Sequence, residues 1–436
     1  MDARGRLGIL AGGGTLPREI ADSAARRGRP VTIVAIDSEA DGDFGPHPVT
    51  RVNWGQIGRM IRTLRNAHVT DLVIVGRVQR PDVAIMRPDL GFVRHLPRIL
   101  RIVASGGDDG VLRHVVRFFE GRGLRVVGPD NAAPELVVAE GAIGTASAAP
   151  GDMADIKLGL AVIRTLGPYD IGQSVIVAGG RVEAIEGVEG TDRMILRAAE
   201  RRRDKAHDLP RHGGVLVKRS KPGQDLRVDM PAIGPATVTG AEDARLSGIA
   251  VEAQRVVVAE RARTLRAADA AKVFVQGVSD TSPDAPPRRF NPRLAAMTFR
   301  RTGRRRPPEH ATLDAIKGLA VVDALAGFNV GQAAIVMRNH VIAVETGEGA
   351  EAAVARAAGL RQWKSITRRR RGIAAVRDMQ SLTPGLAAAV AAGGFAGLAI
   401  GGARYEAGEA QQAALALAAE RGLLVLIREP ETRSPR

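Results

Sequence analysis

Apolar residues come in short blocks along this chain, and the spacing changes from block to block. LGILA (7–11) is a continuous apolar run that stops at Gly12-Gly13-Gly14, and Leu16 to Arg27 then takes helical spacing with Pro17 in its first turn. PVTIVAID (30–37) is β-branched and reads as a strand, Gly58 to Asn66 as a helix, DLVIVGRV (71–78) as a strand, and Val111 to Glu120 as a helix with Asp108-Asp109 as its N-cap. LRVVGPDN (124–131) reads as a further strand. Strands alternating with helices predict a parallel, doubly wound α/β sheet over residues 1–150.

Around 138–152 the text becomes Gly, Ala, Pro and Ser, which marks an interdomain hinge. A mixed α/β domain is expected over 151–278, with a helix at Ile156 to Leu166 and short strands such as SVIVAGG, VEAIEG, GVLVKR and SGIAVEA. A Pro- and Arg-rich stretch over 279–312 reads as a linker, and a third segment follows over 313–430, ahead of a disordered tail, ETRSPR.

The third segment repeats the second. DIGQSVIV (170–177) returns as NVGQAAIV (329–336), and at an offset of 159 the stretch Asp155–Met194 lies on Asp314–Ala353 without a gap. Fifteen of those forty pairs are identical, where chance gives roughly three. Farther on, an offset of 149 matches Asp229-Met230 to Asp378-Met379 and Pro235 to Pro384, so about ten residues are missing midway. The same offset lays Lys221 on Arg370, Gln224 on Ile373 and Asp225 on Ala374, while the offset of 159 lays Thr191 on Ala350 and Asp192 on Glu351. The second copy thus keeps the apolar framework and loses the polar groups.

The net charge is +16, carried mostly by Arg, in a chain only 3% aromatic. The Arg excess reflects either a GC-rich coding bias or service to a polyanion; stacking platforms for single-stranded nucleic acid are not expected, so among polyanions phosphate or an anionic membrane is favoured over RNA. Absence of Cys removes disulfides, thiolate metal sites and Cys nucleophiles, and the eight His form no close ligand pair. No apolar run reaches the roughly 18 residues of a spanning helix, and no signal peptide precedes the first strand, so a cytoplasmic location is expected.

Candidate chemistry concentrates in a few loops. Gly12, Gly13 and Gly14 form a turn that lets backbone N–H groups approach a phosphate; a dinucleotide fingerprint would need Gly where Pro17 stands. Gly76 and Arg77 end a parallel strand, where such sheets bind ligands. In KPGQDLRVDMPAIGP (221–235), Asp225 and Asp229 lie four apart with Lys221 and Arg227 close by, a mixture suited to Mg²⁺-assisted phosphoryl chemistry or to a salt-bridged turn. In EGTD (189–192), Thr191 or Asp192 is a candidate either for ligand contact or for a plain N-cap.

Together, LGILAGGGTLPREIA, VIVGRVQRPD, GDDGVLRHVV, DIGQSVIV, EGVEGTDRM, VLVKRSKPGQDLRVDMPAIGP and SGIAVEA resemble the UDP-2,3-diacylglucosamine pyrophosphatase family of lipid A biosynthesis, the type unrelated to calcineurin-like enzymes. The resemblance covers residues 5 to about 277. It implies a Rossmann-like N-terminal domain, a C-terminal catalytic domain, and metal-dependent hydrolysis of UDP-2,3-diacylglucosamine to UMP and 2,3-diacylglucosamine 1-phosphate, water attacking the sugar-side phosphorus. It implies a catalytic Asp225, also the candidate metal ligand for Mg²⁺ or Mn²⁺, and substrate contacts at Gly12, Gly76, Arg77, Gln173, Thr191, Asp192 and Lys218; Gly13, Gly14, Lys221 and Gln224 join them from the loop reading. Arg77 stands where many members carry Lys. A two-chain lipid substrate implies peripheral contact with the cytoplasmic face of the inner membrane, aided by the Arg-rich linker and Arg368 to Arg371. The extra copy is the departure from the family, and an intrachain pseudo-dimer, or a homodimer, is expected from it. The competing readings are a hydrolase or binder of another UDP-sugar, a non-catalytic scaffold or regulator, and an RNA-binding protein resting on charge alone.

Overall fold

The computed structural model describes residues 5–78, 87–94, 96, 108–204, 213–280, 289–302, 306–361, 371–402 and 407–429. Parts of GRVQRPD, of the Pro/Arg-rich stretch and of the run Arg368 to Arg371, and the ETRSPR tail, lie outside the described residues. The chain divides into two compact units: residues 1–147, 223–239 and 251–280, and residues 148–222, 240–250 and 281–436.

The first unit is built on five parallel strands, β1 (Arg6–Ala11), β2 (Val31–Ile36), β3 (Val49–Val52), β4 (Val69–Val75) and β5 (Arg125–Val126), in the order β3-β2-β1-β4-β5. Alternate residues of the strands feed two cores. Leu7, Ile9, Ile33 and Ala35 pack with Ile20 and Ala24 of α1 (Leu16–Arg26), while Leu10, Val34 and Leu72 pack with Met60 and Leu64 of α2 (Ile57–Asn66) and Val116 and Phe119 of α3 (Asp108–Glu120). Helices on both faces and parallel strands make this the expected doubly wound sheet. Two readings need correction. The helix α3 begins at Asp108, so Asp108-Asp109 are inside it and do not cap it from outside. LRVVGPDN gives only two strand residues, because Gly128 caps and Pro129 opens a short helix, α4 (Pro129–Ala132). The short polar strand β3 carried no apolar alternation to announce it.

In the second unit, α5 (Pro150–Leu166) lies beside a three-strand ladder: β7 (Ser174–Ala178) pairs antiparallel with β8 (Arg181–Ile185) and with β9 (Val215–Lys218). Helix α6 (Thr191–Arg203) starts at Thr191 with Gly190 as N-cap, so neither Thr191 nor Asp192 is the cap. The strand β6 (Gly141–Ala142), in the first unit, falls inside the expected hinge and pairs antiparallel with β13 (Phe274–Val278).

The repeat has its own six-stranded mixed sheet, order β14-β19-β18-β17-β15-β16: β14 (Phe299–Thr302), β15 (Ala333–Met337), β16 (His340–Val344), β17 (Ile373–Asp378), β18 (Gly397–Gly402) and β19 (Leu424–Arg428). Edge strand β14 arises within the Pro- and Arg-rich text, where FRRT gave no strand signal. The hairpin β15–β16 repeats β7–β8 pair for pair at the offset of 159, down to the same register shift, at Ile176/Val177 and Ile335/Val336. The two copies are one fold.

Register also places the loss. Val215–Lys218 and Ile373–Val376 hold equivalent positions against β7 and β15, an offset of 158, and Arg219 N–H donates to Gln173 O (2.9 Å) as Arg377 N–H does to Gln332 O (3.0 Å). Helices Pro235–Asp243 and Pro384–Ala392 are offset by 149. Nine residues are therefore missing after Arg377, and keeping the Asp-Met match assigns them to 220–228. This corrects the reading that laid Gln224 on Ile373 and Asp225 on Ala374: those residues belong to β17, and Asp225 has no counterpart.

Within the second unit the copies touch through α5 and α9 (Glu309–Leu325). Away from those helices, Arg197 binds Glu189 (2.8 Å) within the first copy, its equivalent Arg356 binds Glu348 within the second, and Arg356 also reaches Glu189 across the copies (3.9 Å).

Candidate active site

The residues singled out from the sequence fall into four groups, two in each unit. In the first unit, the glycine turn follows β1 and Gly76-Arg77 follows β4, the two neighbouring strands at which the strand order reverses. Open α/β sheets bind ligands at such switch points. Gly13 and Arg77 exchange backbone hydrogen bonds, both 2.8 Å, and Gly12 N–H donates to Val75 O at 2.9 Å. Glycine is required at two positions. A Cβ on Gly12 would lie 2.4 Å from Arg77 O, and Gly76 has φ +102° with its Cβ position 2.7 Å from Gly12 C. Gly14 N–H donates to Asp41 Oδ1 at 2.9 Å, and the exposed Arg77 guanidinium lies 3.8 Å from Asp41. The Gly14 N–H holds the Asp41 carboxyl below its usual range. The Gly14 N–H is thus a donor already used by the chain's own carboxylate. No sequence pattern pointed to Asp41.

The second group is the loop 223–229. Arg227 grips Asp225 with Nε to Oδ1 (2.8 Å) and Nη2 to Oδ2 (2.7 Å), and its own Nη1 donates to Glu120 Oε1 (2.9 Å). The Arg227 side chain, then its backbone N–H and the charge of Arg113, hold the Asp225 carboxyl below the usual range against the opposing effect of burial. Gln224 Nε2 donates to Asp229 Oδ2 at 2.6 Å. The two carboxylates thus have separate partners. In the second unit, Lys221 Nζ donates to Asp170 Oδ1 at 2.8 Å.

The third group is a polar nest in the second unit. Lys218 Nζ donates to Thr191 Oγ1 (3.1 Å), which donates to Glu186 Oε2 (3.2 Å) and lies 3.2 Å from Ser174 Oγ. Lys218 ends β9 opposite Ser174 on β7, and Thr191 opens α6, so a strand pair and a helix N-terminus converge on one hydroxyl. Gln173 N–H donates to Glu186 Oε2 (3.3 Å), and Gln173 Oε1 is buried with no hydrogen bond from the described residues. Asp192 is exposed beside the nest in sequence. The repeat has emptied this place: Ser174, Thr191 and Lys218 become Ala333, Ala350 and Val376. Glutamine and glutamate stay, as Gln332 and Glu345, and Glu345 accepts backbone N–H groups of Gln332, Gly347 and Gly349. Ser174 and Glu186 were not singled out from sequence, although the alignment of the copies carried the signal for Ser174.

The fourth group is the Lys221–Asp170 pair. Burial pushes the Asp170 carboxyl up, but Lys221, Arg289 and Lys317 outweigh it and leave the carboxyl below its usual range.

Among the described residues no three His, Asp or Glu side chains gather as a metal cage. A sparser Mg²⁺ site, in which one or two carboxylates share the ion with water and substrate phosphates, would draw on Asp225, whose carboxyl Arg227 now holds below its usual range. Among the described residues, no helix is long and apolar enough to cross a membrane.

Comparison with known proteins accounts for this layout. The LpxI N-terminal domain family matches residues 6–136, and the LpxI C-terminal domain family matches twice, over 139–276 and 300–426. A curated relative, the UDP-2,3-diacylglucosamine pyrophosphatase LpxI of Caulobacter vibrioides, is 38% identical over 273 residues, which is 63% of this chain and 97% of that protein. The chain belongs to the LpxI family and carries that family's C-terminal domain twice.

Proposed function

We propose that the chain hydrolyses the pyrophosphate bond of UDP-2,3-diacylglucosamine in lipid A biosynthesis, giving UMP and 2,3-diacylglucosamine 1-phosphate. The observation that carries this is the match across 97% of the curated pyrophosphatase, with the loop of Asp225 and the nest of Thr191 and Lys218 intact in the first copy. Hydrolysis needs negative charge neutralised on two phosphates and a water held in line. In the first unit a phosphate oxygen would replace Asp41 as acceptor of the Gly14 N–H, beside Arg77; in the second unit Lys218 and Lys221 are the cations. The water oxygen bonds to the sugar-side phosphorus, the bridging P–O bond breaks, and UMP leaves with the bridging oxygen. Asp225, kept ionised by Arg227, is a weak base, so its role is to orient the water and hold positive charge near the phosphates. Mg²⁺ or Mn²⁺ bound there would neutralise phosphate oxygens and lower the barrier to attack.

A cytoplasmic location with peripheral contact at an anionic inner leaflet is part of the proposal. The +16 charge and the exposed Leu90 (89%) and Val93 (59%) support it. We also take the paired copies to serve as an intrachain pseudo-dimer in place of a homodimer; a two-chain mass by light scattering would count against that. The decisive assay is UMP release from UDP-2,3-diacylglucosamine with Mg²⁺ or Mn²⁺. Wild type is expected to be active and Asp225→Ala inactive, and equal rates would refute the role of Asp225.

A further inference from the structure

The repeat has shed most polar groups of the first copy, yet it has gained one. Lys317 on α9 stands where the first copy has Leu158, and it is 5% exposed on a helix whose other buried positions, apart from Asp314, are apolar. Its ammonium donates to Asn339 O at 2.7 Å. The charges acting on it are Asp170, Arg289, Asp314 and Lys221. Asp170 binds Lys221 and lies 3.9 Å from Arg289 Nη2. The stretch bearing Arg289 is fixed to that corner: Phe290 N–H donates to Pro168 O (2.8 Å), and the Phe290 and Tyr169 rings are 5.1 Å apart.

This cluster breaks the pseudo-symmetry in a matched way. The equivalent of Asp170 is Asn329, and the equivalent of Lys317 is Leu158. Charge is therefore present at one of two equivalent places and absent from both members of the other. A buried lysine is costly, so its presence beside the active copy alone needs a local cause. Lys221 supplies one. If it is to meet a phosphate it must turn away from Asp170, and a half-buried carboxylate left without a cation opposes that.

Building on the function proposed above, we infer that Lys317 and Arg289 are positioning residues for Lys221: they neutralise Asp170, so that the Lys221 ammonium can turn to a phosphate of the substrate. The repeat then contributes to the site without touching substrate. Burial brings the pKa of Lys317 down to about 8. Its help is accordingly present below that pH and fades above it.

The test is steady-state UMP release by the full chain between pH 7 and pH 9. Wild type is expected to lose affinity, seen in KM, as pH passes about 8. Lys317→Met is expected to show a KM raised about tenfold at pH 7 and flat with pH, with kcat nearly unchanged. Combining it with Lys221→Gln should add nothing further, and Asp170→Asn should remove the pH step. Additive effects of Lys317→Met and Lys221→Gln would overturn the inference, as would a wild-type KM and pH profile in Lys317→Met. Should Lys317→Met not fold, Asp170→Asn decides: a pH step that persists in it overturns the inference. Should wild type release no UMP, the proposed function falls, and UDP affinity by calorimetry decides the inference separately. An equal Kd for wild type and Asp170→Asn across the same pH range would overturn it.

Discussion

Replacing Arg227 by Met removes the clamp on Asp225 and leaves the loop's length and most of its bulk in place. Two side-chain hydrogen bonds, at 2.8 and 2.7 Å, go with it. Charged hydrogen bonds in a dry interior contribute about 1.5–3 kcal/mol each. The Arg227 side chain is 44% exposed, however, and screening reduces the pair to about 1 kcal/mol in total. Loss of the clamp should therefore let the Asp225 carboxyl rise back toward its usual range. The folded-state pKa is depressed, so the stabilisation is fully present above the unfolded value near ~3.9 and is lost as pH falls through the folded value. The variant should therefore be about 1 kcal/mol less stable than wild type in urea at pH 7, and the gap should close at acid pH. The acid limb of kcat/KM for UMP release should move to higher pH in the same direction. An unmoved limb with a lowered urea midpoint would show that Arg227 is a strut and that Asp225 does not titrate in the reaction.

Four further outcomes are expected. Gly76→Ala forces a Cβ to within 2.7 Å of Gly12 C at φ +102° and should cost about 2–4 kcal/mol, read as a melting temperature lower by several degrees; an unchanged melt would mean the glycine turn yields easily. Lys218→Met strips the cation from Thr191 and should lower kcat/KM at least about tenfold with the helical signal intact; retained activity would remove the polar nest from the site. Lys317 is neutral in the folded chain and charged in the unfolded one between pH about 8 and ~10.4, so wild type should gain stability relative to Lys317→Met over that range, on the order of 2 kcal/mol, and parallel curves would contradict its buried state. Chelation with EDTA should abolish UMP release and added Mg²⁺ or Mn²⁺ should restore it; full activity in EDTA would exclude the metal.

Strands with dense apolar text were legible in the sequence: LGILA and VTIVAI alternate between two cores and could be nothing but buried strands. The short or charged ones, VTRV and FRRT, were hidden, because their strand state comes from pairing with a neighbour and not from their own side chains. The repeat was visible as text, but its gap was misplaced because Gln224 and Asp225, loop residues of the first copy, were laid on strand positions of the second; register against Gln173 and Gln332 separates the two. The site's residue types were legible in the same way, and their partners were not. Arg227 reaches Glu120 and Lys221 reaches Asp170, separations of 107 and 51 residues that no local pattern encodes.

The duplication also changes what a mutation can do. In a symmetric homodimer every substitution appears in both subunits, so a buried lysine that helps one site must be tolerated at its mirror position as well. Here the two halves are written separately, and Lys317 faces the charge of Asp170 while Leu158 and Asn329 remain neutral. On the reading proposed above, covalent linkage would let one copy specialise as support, because a change written into it is not copied into the other.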